Sequence, residues 1–146
     1  MLATVESVLE ANGFAFTRDD ANPGLLSFGV KGDVGQWGCL VAVREEQDQL
    51  VIYSVLDARV PPEHRSAMAE YMTRRNYRMV VGNLEMDYDD GEVRLRVGID
   101  VEGAGLSAEL ANQMFRVSFA VFDDLLPELE EVAAHGRVGG AGGDWG

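Results

Sequence analysis

The 146-residue chain has one cysteine, Cys39, which rules out an internal disulfide. Its setting in the apolar run WGCLVAV reads as a small buried hydrophobe, and cysteine this sparse fits a reducing compartment. Histidine is scarce as well. His64 and His135 lie far apart, and neither stands in a metal-type spacing with Cys39, so the pattern argues against zinc. Basic residues are outnumbered 12 to 25 by acidic ones, a formal charge of −13. That balance argues against direct contact with nucleic acid or anionic lipid, whose phosphates demand cationic surfaces. It keeps a chain soluble and, if there is a charged partner, favours a basic one. No apolar run reaches membrane-spanning length, and the opening stretch MLATVESVLEANG meets Glu6 without a basic region before it. Neither a spanning helix nor a secretory signal is expected, and the expected location is cytoplasmic.

A chain of this length suits one domain that buries roughly 68 to 70% of its unfolded surface. Residues 1–135 are assigned to it. The Gly-rich stretch 136–146, GRVGGAGGDWG, is expected to trail as a disordered tail that includes Trp145.

The clearest pattern present is Leu84 to Val101. Leu84, Met86 and Tyr88 alternate with acids, and after Asp90-Gly91 the alternation resumes with Val93, Leu95, Val97, Ile99 and Val101. This predicts a β-hairpin with a two-residue type I′ turn at Asp90-Gly91. Tyr88 then pairs with Val93, Asp87 with Arg94, Met86 with Leu95 and Glu85 with Arg96. Before the hairpin, Leu2 to Asn12 has helical spacing with Thr4 or Ser7 near its start and Gly13 as its stop, and residues 14–24 read as a connection. Strands are predicted at Leu25 to Val30, Gln36 to Arg44 and Leu50 to Asp57. The last is apolar on both faces, so either helices cover both sides or another chain covers one. Val60-Pro61-Pro62-Glu63 starts a second helix that ends near Asn76. Ser107 caps a third, whose two apolar stripes contain Leu110, Met114, Val117, Val121 and Leu125, and Phe115, Phe119, Phe122 and Leu126. An arc that wide predicts contact beyond the sheet, with dimerisation the simplest cause. Pro127 is expected to kink or restart this helix.

Chemical motifs are weak throughout. Asp87, Asp89, Asp90 and Gly91 are misspaced for a calcium loop, and Gly98 stands where its bidentate Glu would fall. Gly29, Gly32, Gly35 and Gly38 recur every third residue without the lysine and helix start of a phosphate cradle, and turns or strand edges account for them. Asp123-Asp124 and Glu130-Glu131 read as a solvated acidic face. Arg65, Arg74, Arg75 and Arg78 form the one basic concentration, read as pairing with the acidic excess, with an anion site as the minority reading. No cofactor, metal or catalytic residue is expected.

The order helix, three strands, helix, hairpin, helix, with AEYMTRRNYRMVVGNLEMDYDDGEVRLRVGIDVEG and LSAELANQMFRVSFAVFDDLLPELEEV, resembles the YbjN-like family over Leu2 to Val132. Its marks are Asn76-Tyr77, Gly82-Asn83, the hairpin and Asp100-Val101-Glu102-Gly103. The resemblance implies an α+β fold like that of type III secretion chaperones. That means an antiparallel sheet of about five strands with three flanking helices in order α-β-β-β-α-β-β-α. It further implies a protein-binding homodimer without enzyme activity, in a family described as sensory-transduction or stress regulators. The partner-binding candidates are Val51, Tyr53, Val55, Phe115, Phe119 and Phe122. Alternatives are an acidic adaptor for a basic nucleic-acid-binding protein, and a small-molecule sensor or enzyme with Arg74 or Arg75 as an anion clamp.

Overall fold

The computed structural model describes residues 1–138. Trp145 and most of the expected tail lie outside them. Among the described residues the elements are α1 (Leu2–Ala11), β1 (Thr17–Arg18), β2 (Leu25–Lys31), β3 (Gln36–Arg44), β4 (Gln49–Val55), α2 (Arg65–Asn76), β5 (Asn83–Met86), β6 (Val93–Asp100) and α3 (Ala108–His135). The strands form one antiparallel sheet in the order β1-β2-β3-β4-β6-β5. The expected α+β order holds. The sixth strand is β1, two residues inside the stretch read as a connection. Phe14 of that stretch also packs on Phe28 and Phe119, with ring centroids 5.0 and 5.6 Å apart.

Strand burial alternates, so one face of the sheet supplies Leu26, Phe28, Val41, Ile52, Leu95 and Val97 to a core shared with all three helices. α3 crosses that face over β4 and β6, with α1 and α2 packed beside it. Its Ser107 hydroxyl accepts the Leu110 N–H at 3.1 Å, as the spacing predicts. Pro127 does not restart it: α3 is continuous from Ala108 to His135. One missing N–H is outweighed where Leu125, Leu126, Leu129 and Val132 bury the stripe on both sides. α1 takes its cap from neither Thr4 nor Ser7. The Leu2 N–H donates to Glu45 Oε1 at 2.7 Å, and that bond holds the Glu45 carboxyl below its usual range.

The hairpin register differs from the expected one by two residues: Met86 pairs with Val93, Leu84 with Leu95, Glu85 with Arg94 and Asn83 with Arg96. A type I′ turn needs positive φ at both central residues. Gly91 has it (+79°), whereas Asp48 is the one non-glycine residue with positive φ among those described. Asp90 instead accepts the Glu92 N–H on its carboxylate and pairs with Arg59, while the Gly91 N–H closes a wider loop on the Asp87 carbonyl at 2.8 Å. A shift of two preserves the alternation, so every remaining side chain keeps its face. Tyr88 leaves the strand and is 55% exposed.

Three polar side chains lock elements together. Asp123, read as solvated, is buried; its carboxylate accepts the Asp33 N–H at 2.9 Å and the Val34 N–H at 3.1 Å, tying α3 to the β2–β3 turn. Asn76 faces the outer edge of β5, where its Oδ1 accepts the Leu84 N–H at 2.7 Å and its Nδ2 donates to the Leu84 carbonyl at 3.0 Å. His64, expected in solvent, is half-buried and donates from Nδ1 to the Ala133 carbonyl at 3.0 Å.

Cys39 is buried, and burial pushes its thiol well above the ordinary range. The native chain should therefore resist a water-soluble disulfide reagent and release one equivalent of thiol only on adding denaturant. Rapid labelling without denaturant would show that this core opens.

Candidate functional site

Because all three helices share one side of the sheet, the other side is bare among the described residues. Cross-strand pairing sets its side chains in rows. One runs Leu25, Ala42, Val51, Gly98; the next Ser27, Leu40, Tyr53, Arg96; the third Gly29, Gly38, Val55, Arg94. Leu25, Leu40, Ala42, Val51, Tyr53 and Val55 are half-buried by one another. Arg94 lies over the Tyr53 ring at 4.1 Å and pairs with Glu85, whose other oxygen meets Arg96 at 3.6 Å. The sheet is hollowed on either side of this apolar ridge. A groove of about 1000 Å³ runs over Gly29, Gly38 and Val55, and one of about 560 Å³ lies over Val51 and Gly98, bordered by Val80 and Val81. The loop after α2 projects there, with Val80 97% and Tyr77 90% exposed.

A family model described as "Putative bacterial sensory transduction regulator" matches residues 2–131. The chain belongs to the YbjN family. Among solved structures, YbjN from E. coli is similar at 17% identity with a TM-score of 0.67, over 92% of this chain and 93% of that one. The HopA1–SchA chaperone–effector complex is similar at 12% identity with a TM-score of 0.52, over 85% and 90%. The YbjN fold is thus similar to that of type III secretion chaperones. No curated protein matches the chain.

In this YbjN-family chain the candidate residues divide. Val51, Tyr53 and Val55 stand together at the centre of the bare face. Phe115 and Phe122 are buried: Phe122 packs on Trp37 at 5.0 Å between centroids, and Phe115 meets only the floor of a small cleft between α1 and α3. The wide apolar arc of α3 is occupied within the chain, by the sheet on one side and by α1 and Phe14 on the other. Phe119 is half-buried and, with Val8, Leu9 and Asn12, lines a small cleft of about 200 Å³ between α1 and α3.

The anion clamp does not assemble either. Arg75 pairs with Glu128 and donates to the Tyr71 hydroxyl at 3.3 Å, and Arg74 pairs with Glu70 at 3.1 Å, so each guanidinium already has a carboxylate. Among the described residues no cluster of His, Cys, Asp and Glu is suited to a metal ion, and no helix is long and apolar enough to cross a membrane. Two features of the site escaped the sequence. The knob at Tyr77, Val80 and Val81 lay between elements, although an apolar run in a loop was a signal. Gly29 and Gly38 read as turn or strand-edge residues, yet they face each other in mid-strand.

Proposed function

We propose that this YbjN-family chain is a non-enzymatic, cytoplasmic protein-binding module of chaperone or adaptor type. It comprises one domain over residues 1–135 and acts as a homodimer that offers its bare sheet face to a partner protein. The observation that carries the reading is the apolar ridge of Leu25, Leu40, Ala42, Val51, Tyr53 and Val55 on a side that no described helix covers. A contiguous apolar patch on a folded surface marks an interaction site. The likeness in fold to a chaperone–effector complex supports the same reading. The homodimer rests on the knob at Tyr77, Val80 and Val81, which leaves apolar surface in water without a second copy. A basic partner, which the net charge favours, would meet the helical side, where Glu109, Asp124 and Glu130 are exposed.

The test is affinity capture from native cell extract, with calorimetry on what is captured. The wild-type chain should retain a protein at micromolar affinity or better, and Val51→Glu with Tyr53→Glu should abolish retention in a variant that still unfolds cooperatively by circular dichroism. Retention of nothing, or retention indifferent to both substitutions, would remove the reading. Sedimentation of the same samples should show a dimer that Val80→Asp splits. A monomer throughout the micromolar range removes the homodimer alone.

A further inference from the structure

The bare face carries two further features, a charge and a trough. Its outward strand positions hold four cations, Lys31, Arg44, Arg94 and Arg96, against two carboxylates, Glu85 and Asp100, on a chain whose formal charge is −13. Glu85 is shared by Arg94 and Arg96, and Asp100 accepts the Gln49 amide at 3.0 Å. Asp57 also borders the trough and Glu92 approaches Arg94 at 4.0 Å, so the cationic excess of this face is confined to its strand positions, where Lys31 and Arg44 are the members without an ion pair among the described residues.

The trough is floored by glycine. Gly29 of β2 and Gly38 of β3 are cross-strand neighbours, and Gly38 faces Val55 on β4. Neither has positive φ, and a Cβ built on either would meet nothing within 4 Å. Neither backbone geometry nor packing requires glycine there, although glycine weakens a strand interior. Gly32 and Gly35 differ: a Cβ on the first would overlap the Asp123 carboxylate, and on the second the Leu126 side chain at 2.6 Å. Paired mid-strand glycines beneath open space fit the close approach of another backbone.

Building on the protein-binding reading, we propose that this trough seats an extended segment of a partner protein that is both apolar and acidic. Its backbone lies over Gly29 and Gly38, its apolar side chains meet Leu40, Tyr53 and Val55, and its carboxylates meet Lys31 in the trough and, where the segment runs on along the strands, Arg96 and Arg44 beyond it. A basic segment is repelled here, and a second copy docked face to face sets cations against cations.

The test is selection of short random peptides displayed on phage against the full-length wild-type chain, followed by affinity measurement on the enriched sequences. Enriched peptides should be rich in Asp or Glu alternating with apolar residues, and should weaken with added salt. Gly29→Val with Gly38→Val, whose Cβ atoms enter open space, fills the trough and should lower their affinity about tenfold or more, with melting temperature equal or higher. Gly38→Val alone is the fallback if the pair fails to fold. Lys31→Glu with Arg44→Glu should reverse the charge preference. Basic or uncharged enriched peptides, or affinities indifferent to the filled trough, overturn this inference and leave the protein-binding reading standing. A wild-type dimer that the filled trough dissociates assigns the face to a second copy and also overturns it. Peptides that bind regardless of Val51→Glu and Tyr53→Glu, or no enrichment at all, count against the protein-binding reading itself.

Discussion

Phe122→Ala is expected to lower stability by about 3–5 kcal/mol and the melting temperature by roughly 10 °C or more, the largest effect of any single truncation proposed. Phe122 has no exposed surface. Its ring meets Trp37 at 60°, an edge-on geometry, in a cluster that continues through Phe119 to Phe14, Phe28 and Phe115. The cavity cannot collapse easily, because the neighbours are rigid rings on α3 and on two strands that are themselves paired. Phe122→Leu keeps most of the volume and should cost less than about half as much. Urea denaturation followed by circular dichroism reads both variants. A loss below about 1 kcal/mol for the alanine variant would mean that the cluster is not packed as described.

Gly91→Ala should cost about 2–4 kcal/mol, although alanine adds one methyl group. Gly91 sits at φ +79°, and a Cβ there would overlap the Val60 carbonyl oxygen. The Gly91 carbonyl accepts the Val60 N–H at 2.9 Å, and Arg65 Nε also donates to the Val60 carbonyl at 3.0 Å. The methyl group would thus strain its own residue and push apart the contact between the hairpin loop and the start of α2. Gly103→Ala separates the two causes. Gly103 has nearly the same φ, +77°, but nothing within 4 Å of its Cβ position, so only the conformational cost of about 1–2 kcal/mol applies. Equal losses at the two positions would show that the loop does not press on Val60.

What could be read from the sequence was whatever short-range periodicity controls. The 3.6-residue stripe of α3, the period-2 strands and the Ser107 cap need only neighbours within a few residues. What could not be read was set by contacts distant in sequence. The hairpin's register turns on Asp90 meeting Arg59, the cap of α1 on Glu45, and the burial of Asp123 on the β2–β3 turn. Asp123 did carry a signal, since it lies four residues after Phe119 on an apolar stripe, where a carboxylate must find donors. The site divides in the same way. That β4 is apolar on both faces was legible, but which face the helices cover depends on topology. The cations gathered at the strand positions of the bare face were hidden because net charge sums over the whole surface.

The Asn76 amide bears on how this sheet meets other sheets. β5 ends the sheet, and Leu84, whose N–H and C=O point outward, has both held by that side chain, while Met86 two residues on shares that outward edge. A stray strand arriving at this border finds its hydrogen-bonding template interrupted at Leu84, which disfavours propagation into a fibril from that end. At the opposite border β1 shields Leu26 and Ser27 of β2, and the Asp19 N–H holds the Leu25 carbonyl at 3.0 Å, which leaves the Phe28 to Lys31 margin as the place where runaway strand addition would begin.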